Sequence, residues 1–159
     1  MDFPSKLIKA TLIKRYKRFL ADATLEDGTV ITAYCPNTGS MKSCGLAGDT
    51  IYLTHTDDPK RKLKYTWQLT QTNGGFININ THKANAIVKE ALETQQVPEL
   101  KAYSKIKPEK KRGNSRLDFC LEEGGKPPCW VEVKSVTLLE GEKVLFPDAV
   151  STRGLKHIQ

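Results

Sequence analysis

From residue 7 to residue 79 the sequence is a succession of short β-prone runs broken by turn residues, with no helical repeat of apolar positions among them. Leu7, Ile8, Leu12 and Ile13 lie in one run. Phe19 to Leu25 and Val30 to Tyr34 flank Glu26-Asp27-Gly28, a hairpin turn signal. The turn from Gly45 to Asp49 leads into Thr50-Ile51-Tyr52-Leu53-Thr54. Residues 65–72 alternate aromatic, β-branched and polar side chains, and Asn73-Gly74-Gly75 turns them into Phe76-Ile77-Asn78-Ile79. Five or six short strands with tight turns predict a small barrel. An OB-like barrel fits that count, and so does an SH3-like one.

At Asn80-Thr81 the period changes. Ala84, Ile87, Val88, Ala91 and Leu92 follow the spacing of a half-buried helix, with Thr81 or Asn80 as its N-cap and a stop before Pro98. A basic stretch follows (Lys105, Lys107, Lys110, Lys111, Arg112), then strands around 116–122 and 129–137 joined by a Gly- and Pro-rich turn. Residues 148–159 read as the start of another helix. The expected organisation is α+β: a barrel over 1–80 and a second, α/β domain over 81–159.

Composition bounds the function. No apolar run approaches the ~18 residues of a membrane span. The start, Met-Asp-Phe-Pro, lacks the cations and apolar core of a secretion signal. A cytoplasmic protein without a membrane partner is the expectation. The net charge is +7, with 11 basic against 7 acidic residues in 1–80 and 14 against 11 in 81–159. A surplus spread over both halves suits a polyanionic partner, nucleic acid above all. Cys35, Cys44, Cys120 and Cys129 form no Cys-x-x-Cys pair, which argues against structural zinc and for free thiols. Walker loops, nucleophile elbows and dinucleotide fingerprints are absent from the sequence.

The stretch with the most chemistry is Ser115-Arg116-Leu117-Asp118-Phe119, then Trp130-Val131-Glu132-Val133-Lys134. In a hairpin turning near residue 125, facing residues sum to about 250, so Asp118 lies opposite Glu132. Glu132 and Lys134 then share a face. Like charges facing each other destabilise a sheet, and a divalent cation would offset the repulsion. Mg²⁺ or Mn²⁺ takes one or two carboxylates, and a lysine beside it can orient a water or balance phosphate charge. A cross-strand salt bridge on a solvated face uses the same residues. Glu109 can supply a third carboxylate, and Glu90 lies on the helix edge. In this register Cys120 and Cys129 point to opposite faces, which disfavours a disulfide between them.

Two basic clusters are interleaved with aromatics. Lys14, Arg15, Lys17 and Arg18 surround Tyr16 and precede Phe19; Lys60, Arg61, Lys62 and Lys64 precede Tyr65 and Trp67. Such clusters suit a barrel that stacks bases and tracks phosphates. Arg116, beside the acidic patch, can hold a phosphate. Residues 35–41 (Cys-Pro-Asn-Thr-Gly-Ser-Met) form a turn-rich loop whose role the residues do not specify.

These segments together resemble the sugar fermentation stimulation protein A family. The resemblance rests on Lys14 to Asp22, Cys35 to Met41, Lys60 to Thr66, Ser115 to Phe119, Val131 to Leu138, Phe146 to Val150 and Thr152 to His157, in order along the whole chain. It implies an OB-fold domain followed by a restriction-endonuclease-like, PD-(D/E)xK, domain. It also implies DNA binding and a link to the regulation of sugar metabolism, notably maltose genes. By the nuclease motif, Asp118, Glu132 and Lys134 match its Asp, Glu and Lys, with Asp118, Glu132 and accessory Glu109 toward Mg²⁺ or Mn²⁺. Family members usually continue past the Lys156-His157 segment, so the second domain is expected to lack closing elements. Three function classes stay open: a metal-dependent endonuclease, a non-catalytic DNA-binding transcriptional regulator on a nuclease scaffold, and an enzyme for a small phosphorylated or RNA ligand. A homodimer is compatible with each.

Overall fold

The first strand, β1 (Ile8–Tyr16), buries Ala10 and Leu12 and exposes the positions between them, the period of two that the sequence carries. It pairs antiparallel with β2 (Leu20–Leu25) on one side and with β4 (Thr50–His55) on the other. β3 (Val30–Tyr34), β5 (Tyr65–Thr72) and β6 (Gly75–Asn78) complete a sheet of order β3-β2-β1-β4-β5-β6. A parallel contact between β3 and β5, Ala33 opposite Tyr65 and Tyr34 opposite Thr66, closes five of these strands into an OB barrel. Two bulges give the sheet the bend that closure needs: the β1–β2 register shifts between Leu12 and Lys14, and the β4–β5 register between Tyr52 and Leu53. The computed structural model describes residues 2–3, 5–113 and 115–145. They divide into two compact units, residues 2–81 with 136–145 and residues 82–135.

The barrel core gathers Leu12, Ile51, Leu53, Trp67 and Ile79 around Ala10, Ala21, Ala23 and Ala33. Four alanines leave room for one fully buried indole, whose N–H donates to the Leu69 carbonyl at 3.0 Å. Gly45 has a positive φ of 78°, and a Cβ there would come within 3.0 Å of the Trp67 ring. Gln68, buried beside the β5 bulge, is satisfied on both ends of its amide. It donates to Thr54 Oγ1 at 2.8 Å and accepts from Asn80 Nδ2 at 2.9 Å.

Three rim segments meet through the register. Leu20 pairs with Tyr34, and Tyr34 with Thr66. The β1–β2 turn (residues 17–19), the loop after Tyr34 and the β4–β5 loop (residues 56–64) therefore lie at one end of the barrel. A short hairpin, β10 (Leu138–Glu140) with β11 (Lys143–Leu145), belongs to the same unit; the Leu139 N–H donates to Ser43 Oγ at 2.9 Å.

The second unit has one α-helix, α1 (Ala84–Glu93), after a 3-10 turn over Thr81–Lys83. The N-cap differs from the expected Asn80 or Thr81: it is Lys83, without a side-chain cap. Asn80 and Thr81 have other partners, Gln68 and the Pro36 carbonyl, which Thr81 Oγ1 reaches at 3.0 Å. Thr94 and left-handed Gln95 (φ 56°) end the helix ahead of Pro98. Val88 and Leu92 face the core, with Phe119 and Leu121 opposite them, while Ile87 is 44% exposed and lies outside the packed stripe.

Behind the helix lies a three-stranded sheet, β7 (Lys105–Arg112), β8 (Ser115–Glu122) and β9 (Cys129–Val131), in that order. β7 corrects the reading of 105–112 as a bare basic stretch. Its seven register pairs with β8 outweigh the poor strand propensity of five cations and a proline. The strand expected over 129–137 is also shorter and ends at Val131. All four cysteines are free thiols. Among the described residues no helix is long and apolar enough to cross a membrane. The helix expected over 148–159 lies outside the described residues.

Candidate functional site

The β8–β9 register is Phe119 opposite Val131, Cys120 opposite Trp130 and Leu121 opposite Cys129, each pair summing to 250. Carried one residue further, it sets Asp118 opposite Glu132. Phe119, Cys120 and Leu121 are all buried, and Asp118, next along this central strand, is half-buried. Past Val131 the ladder stops because the Val133 N–H turns to a side chain: it donates to Asp118 Oδ2 at 2.7 Å. The other oxygen, Oδ1, accepts from Asn85 Nδ2 at 2.7 Å. Asp118 is thus held from the chain after β9 and from the first turn of α1.

Glu132 and Lys134 form an ion pair with each other. Glu109 occupies the β7 position between the pairs Pro108–Phe119 and Lys110–Leu117, which sets it opposite Asp118 on the neighbouring strand. Its backbone is left-handed, with φ at 53°, a strained conformation for a residue with a side chain. Its carboxylate pairs with Arg116. Acidic positions 109, 118 and 132 therefore form a row across three chain segments, each with its own donor or cation. Among the described residues no group of three His, Cys, Asp or Glu side chains is close enough together to hold a metal ion. Asp118 and Glu132 supply two hard oxygen donors, within the one or two carboxylates that Mg²⁺ takes from proteins. Glu90 lies on α1, where its main-chain carbonyl accepts from the Thr94 hydroxyl at 2.7 Å.

At the other end of β8, Glu122 accepts from Lys107 and Lys110, both at 2.5 Å. Those two ammonium groups, Lys107 foremost, pull its carboxyl down to about 2. Arg112 lies 5.4 Å above the Trp130 ring.

On the barrel the basic residues divide by role. Lys14 lies 3.7 Å from Asp22 and 5.3 Å from the Tyr16 ring centre. Asp22 also accepts from Thr32 and Tyr16, and Thr32 is the main reason its carboxyl titrates below the usual range. Arg15 turns inward: Nη2 donates to the carbonyls of Asn37 at 2.9 Å and Gly39 at 2.8 Å, bracing the 35–41 loop. Asn37 Oδ1 accepts the Gly39 N–H at 2.8 Å. Burial pushes the Cys35 thiol up, so it stays protonated under that loop. Lys17 and Arg18 are exposed in a turn with φ of 48° and 64°. Lys60 and Lys62 are exposed in the β4–β5 loop, and Arg61 Nη2 donates to Thr66 Oγ1 at 3.2 Å. Sequence reading missed two features: Asn85 as a partner of Asp118, which no local motif signals, and Arg15 as a loop brace.

The chain matches two family models in order. Residues 13–79 match the SfsA N-terminal OB domain, and residues 82–159 match the sugar fermentation stimulation protein RE domain. It is 52% identical over 160 residues to a sugar fermentation stimulation protein homolog of Geobacter sulfurreducens, covering all of this chain and 68% of that one. A homolog from Haemophilus influenzae (strain PittGG) is 52% identical over 162 residues, again across all of this chain and 68% of the relative. Among solved structures, Pyrococcus furiosus SfsA in complex with Ca²⁺ superposes with a TM-score of 0.82 at 30% identity, over 99% of this chain and 66% of that one. With both domain models matched and half the residues identical to relatives across the whole of this chain, the chain belongs to the sugar fermentation stimulation protein family.

Proposed function

We propose that this protein binds nucleic acid, DNA above all, through the basic rim of its barrel, and hydrolyses phosphodiester bonds at a metal-dependent site built on Asp118, Glu132 and Lys134. The observation that carries the hydrolytic reading is the Asp118–Val133 hydrogen bond of 2.7 Å, which ties the first carboxylate to the backbone between the other two residues. The two loops that carry binding in OB folds are, in this chain, the two basic ones at residues 17–19 and 56–64. The P. furiosus relative was solved with Ca²⁺, a cation that takes oxygen donors as Mg²⁺ does.

In this reading Asp118 and Glu132 hold Mg²⁺ or Mn²⁺, with Glu109 as an accessory acid. The bound ion supplies Lewis acidity and an acidified water. Asn85 and the Val133 N–H fix the Asp118 carboxylate in one orientation. Lys134 exchanges its Glu132 partner for the developing charge on the phosphate and orients the attacking water. Arg116 meets a neighbouring phosphate after leaving Glu109.

The test is incubation of plasmid and single-stranded DNA with Mg²⁺ or Mn²⁺, against Asp118→Ala, Glu132→Ala and Lys134→Ala. Cutting by the wild type and none by the variants supports the site; equal cutting by all removes these residues from it. The second reading is a non-catalytic DNA-binding regulator, linked in this family to sugar metabolism. The closed pairs Glu132–Lys134 and Glu109–Arg116 favour it. Metal-independent, salt-sensitive binding with no cleavage would select it.

A further inference from the structure

The barrel rim holds a feature that charge alone does not explain. Phe19 is 46% exposed, yet its backbone is fixed on both sides. Its N–H donates to the Lys17 carbonyl at 2.8 Å, and its carbonyl accepts the Cys35 N–H at 2.7 Å. One face of the ring stacks on Tyr34, with centroids 6.4 Å apart and planes at 12°. Lys17 and Arg18 immediately precede it in the left-handed turn. On the far side of Tyr34 lies Thr66, which Arg61 contacts. An aromatic pair of fixed orientation thus stands between two groups of cations.

We infer that Phe19, backed by Tyr34, is a stacking platform for an unpaired nucleobase, so that the barrel's partner is single-stranded nucleic acid. The inference rests on the nucleic-acid-binding half of the proposed function and adds strandedness and a named contact. A protein partner fits poorly, because the centres of protein interfaces are depleted of lysine. A duplex fits poorly too, because its bases are already stacked and present no free face. A single strand offers both a phosphate for each cation and a base for the ring. Phe76 makes the contrast. It is more exposed, at 61%, and contacts Tyr52 edge-on at 5.5 Å, but its hairpin neighbours Gln71, Thr72, Asn73 and Gly74 carry no cation.

The experiment measures anisotropy of labelled oligothymidine, an abasic strand of the same length and a duplex, with the full chain and without divalent metal. The wild type should bind oligothymidine more tightly than the duplex, although the duplex has the denser charge. Phe19→Ala should lose about tenfold on oligothymidine and nothing on the abasic strand. Phe19→Trp should restore the loss, which separates stacking from misfolding, and a thermal melt should show all variants folded. Lys17→Ala with Arg18→Ala should weaken every strand and reduce the salt slope by about one to two. Equal affinity of Phe19→Ala and the wild type, or equal losses on abasic and normal strands, would overturn the platform while leaving nucleic-acid binding intact. A wild type that binds none of the three probes would overturn the platform together with the binding reading beneath it.

Discussion

The side-chain amide of Asn85 donates to Asp118 Oδ1 at 2.7 Å across a sequence separation of 33 residues, while the Val133 N–H takes the other carboxylate oxygen at the same distance. Partners that orient a ligating carboxylate commonly matter ten- to a hundredfold, as an order of magnitude, for metal affinity. If Asp118 ligates a cation as proposed, Asn85→Ala should weaken Mn²⁺ binding by roughly that factor in a calorimetric titration, with α1 still folded. Asn85→Asp should lower the melting temperature of the metal-free protein, because it sets a second negative charge against Asp118. Lys89→Ala, whose ion pair with Glu93 lies on the exposed helix surface, is the control. An affinity untouched by Asn85→Ala would remove this residue from the site.

Arg15 braces the 35–41 loop with one guanidinium nitrogen on two carbonyls. A lysine side chain ends one atom short of that nitrogen, so its ammonium does not reach both carbonyls. Arg15→Lys should lower stability by about 1–3 kcal/mol in urea unfolding, since two part-buried carbonyls lose their donor. It should also speed hydrogen exchange at the Gly39 amide, whose Asn37 acceptor belongs to the same loop. Lys14→Ala, at the exposed neighbour, should change neither quantity by much. Unaltered exchange at Gly39 in Arg15→Lys would mean that the loop holds its own shape.

Glu122 gives a pH dependence with a definite sign. Its carboxyl falls from an ordinary 4.5 to about 2 beside Lys107 and Lys110. Its side chain keeps 26% of its exposure, so solvent weakens the effect. A depressed folded-state value means that the charged form favours folding. The contribution is therefore present above pH 4.5 and is lost as pH falls toward about 2. Glu122→Gln should lower the melting temperature at pH 6 and leave it nearly unchanged at the acid end of that window. Parallel wild-type and variant melting curves across the whole range would exclude the pair as a stabilising contact.

The hairpin around Asp118 was legible because its information is local. Glycines 124 and 125 locate the turn, Leu117, Phe119, Val131 and Val133 give the alternation, and together they set the register that the β8–β9 pair adopts. The barrel was legible for the same reason: each turn lies beside the strands it joins. The rest depends on distance in sequence. Nothing near Asn85 marks it as a partner of Asp118, and nothing in Lys105–Arg112 favours a strand until β8 supplies the pairing. Arg15 reads like its cationic neighbours in sequence, because a run of charges does not say which member points inward. The helix cap lies two or three residues later than Thr81 or Asn80 would put it, because both, good caps by type, are engaged by the Pro36 carbonyl and Gln68.

The outermost strand of the small sheet also answers a danger that every open β-edge carries. Among the described residues β7 ends its sheet, with Lys105, Lys107, Lys110, Lys111 and Arg112 along it, a proline at 108 and a left-handed residue at 109. A second molecule trying to add its own β7 alongside would meet repulsion at most positions and find no amide to pair with at 108. The bent, crowded middle of the strand would also throw the two backbones out of step. Strand-by-strand growth through that margin is therefore disfavoured at the backbone and by charge.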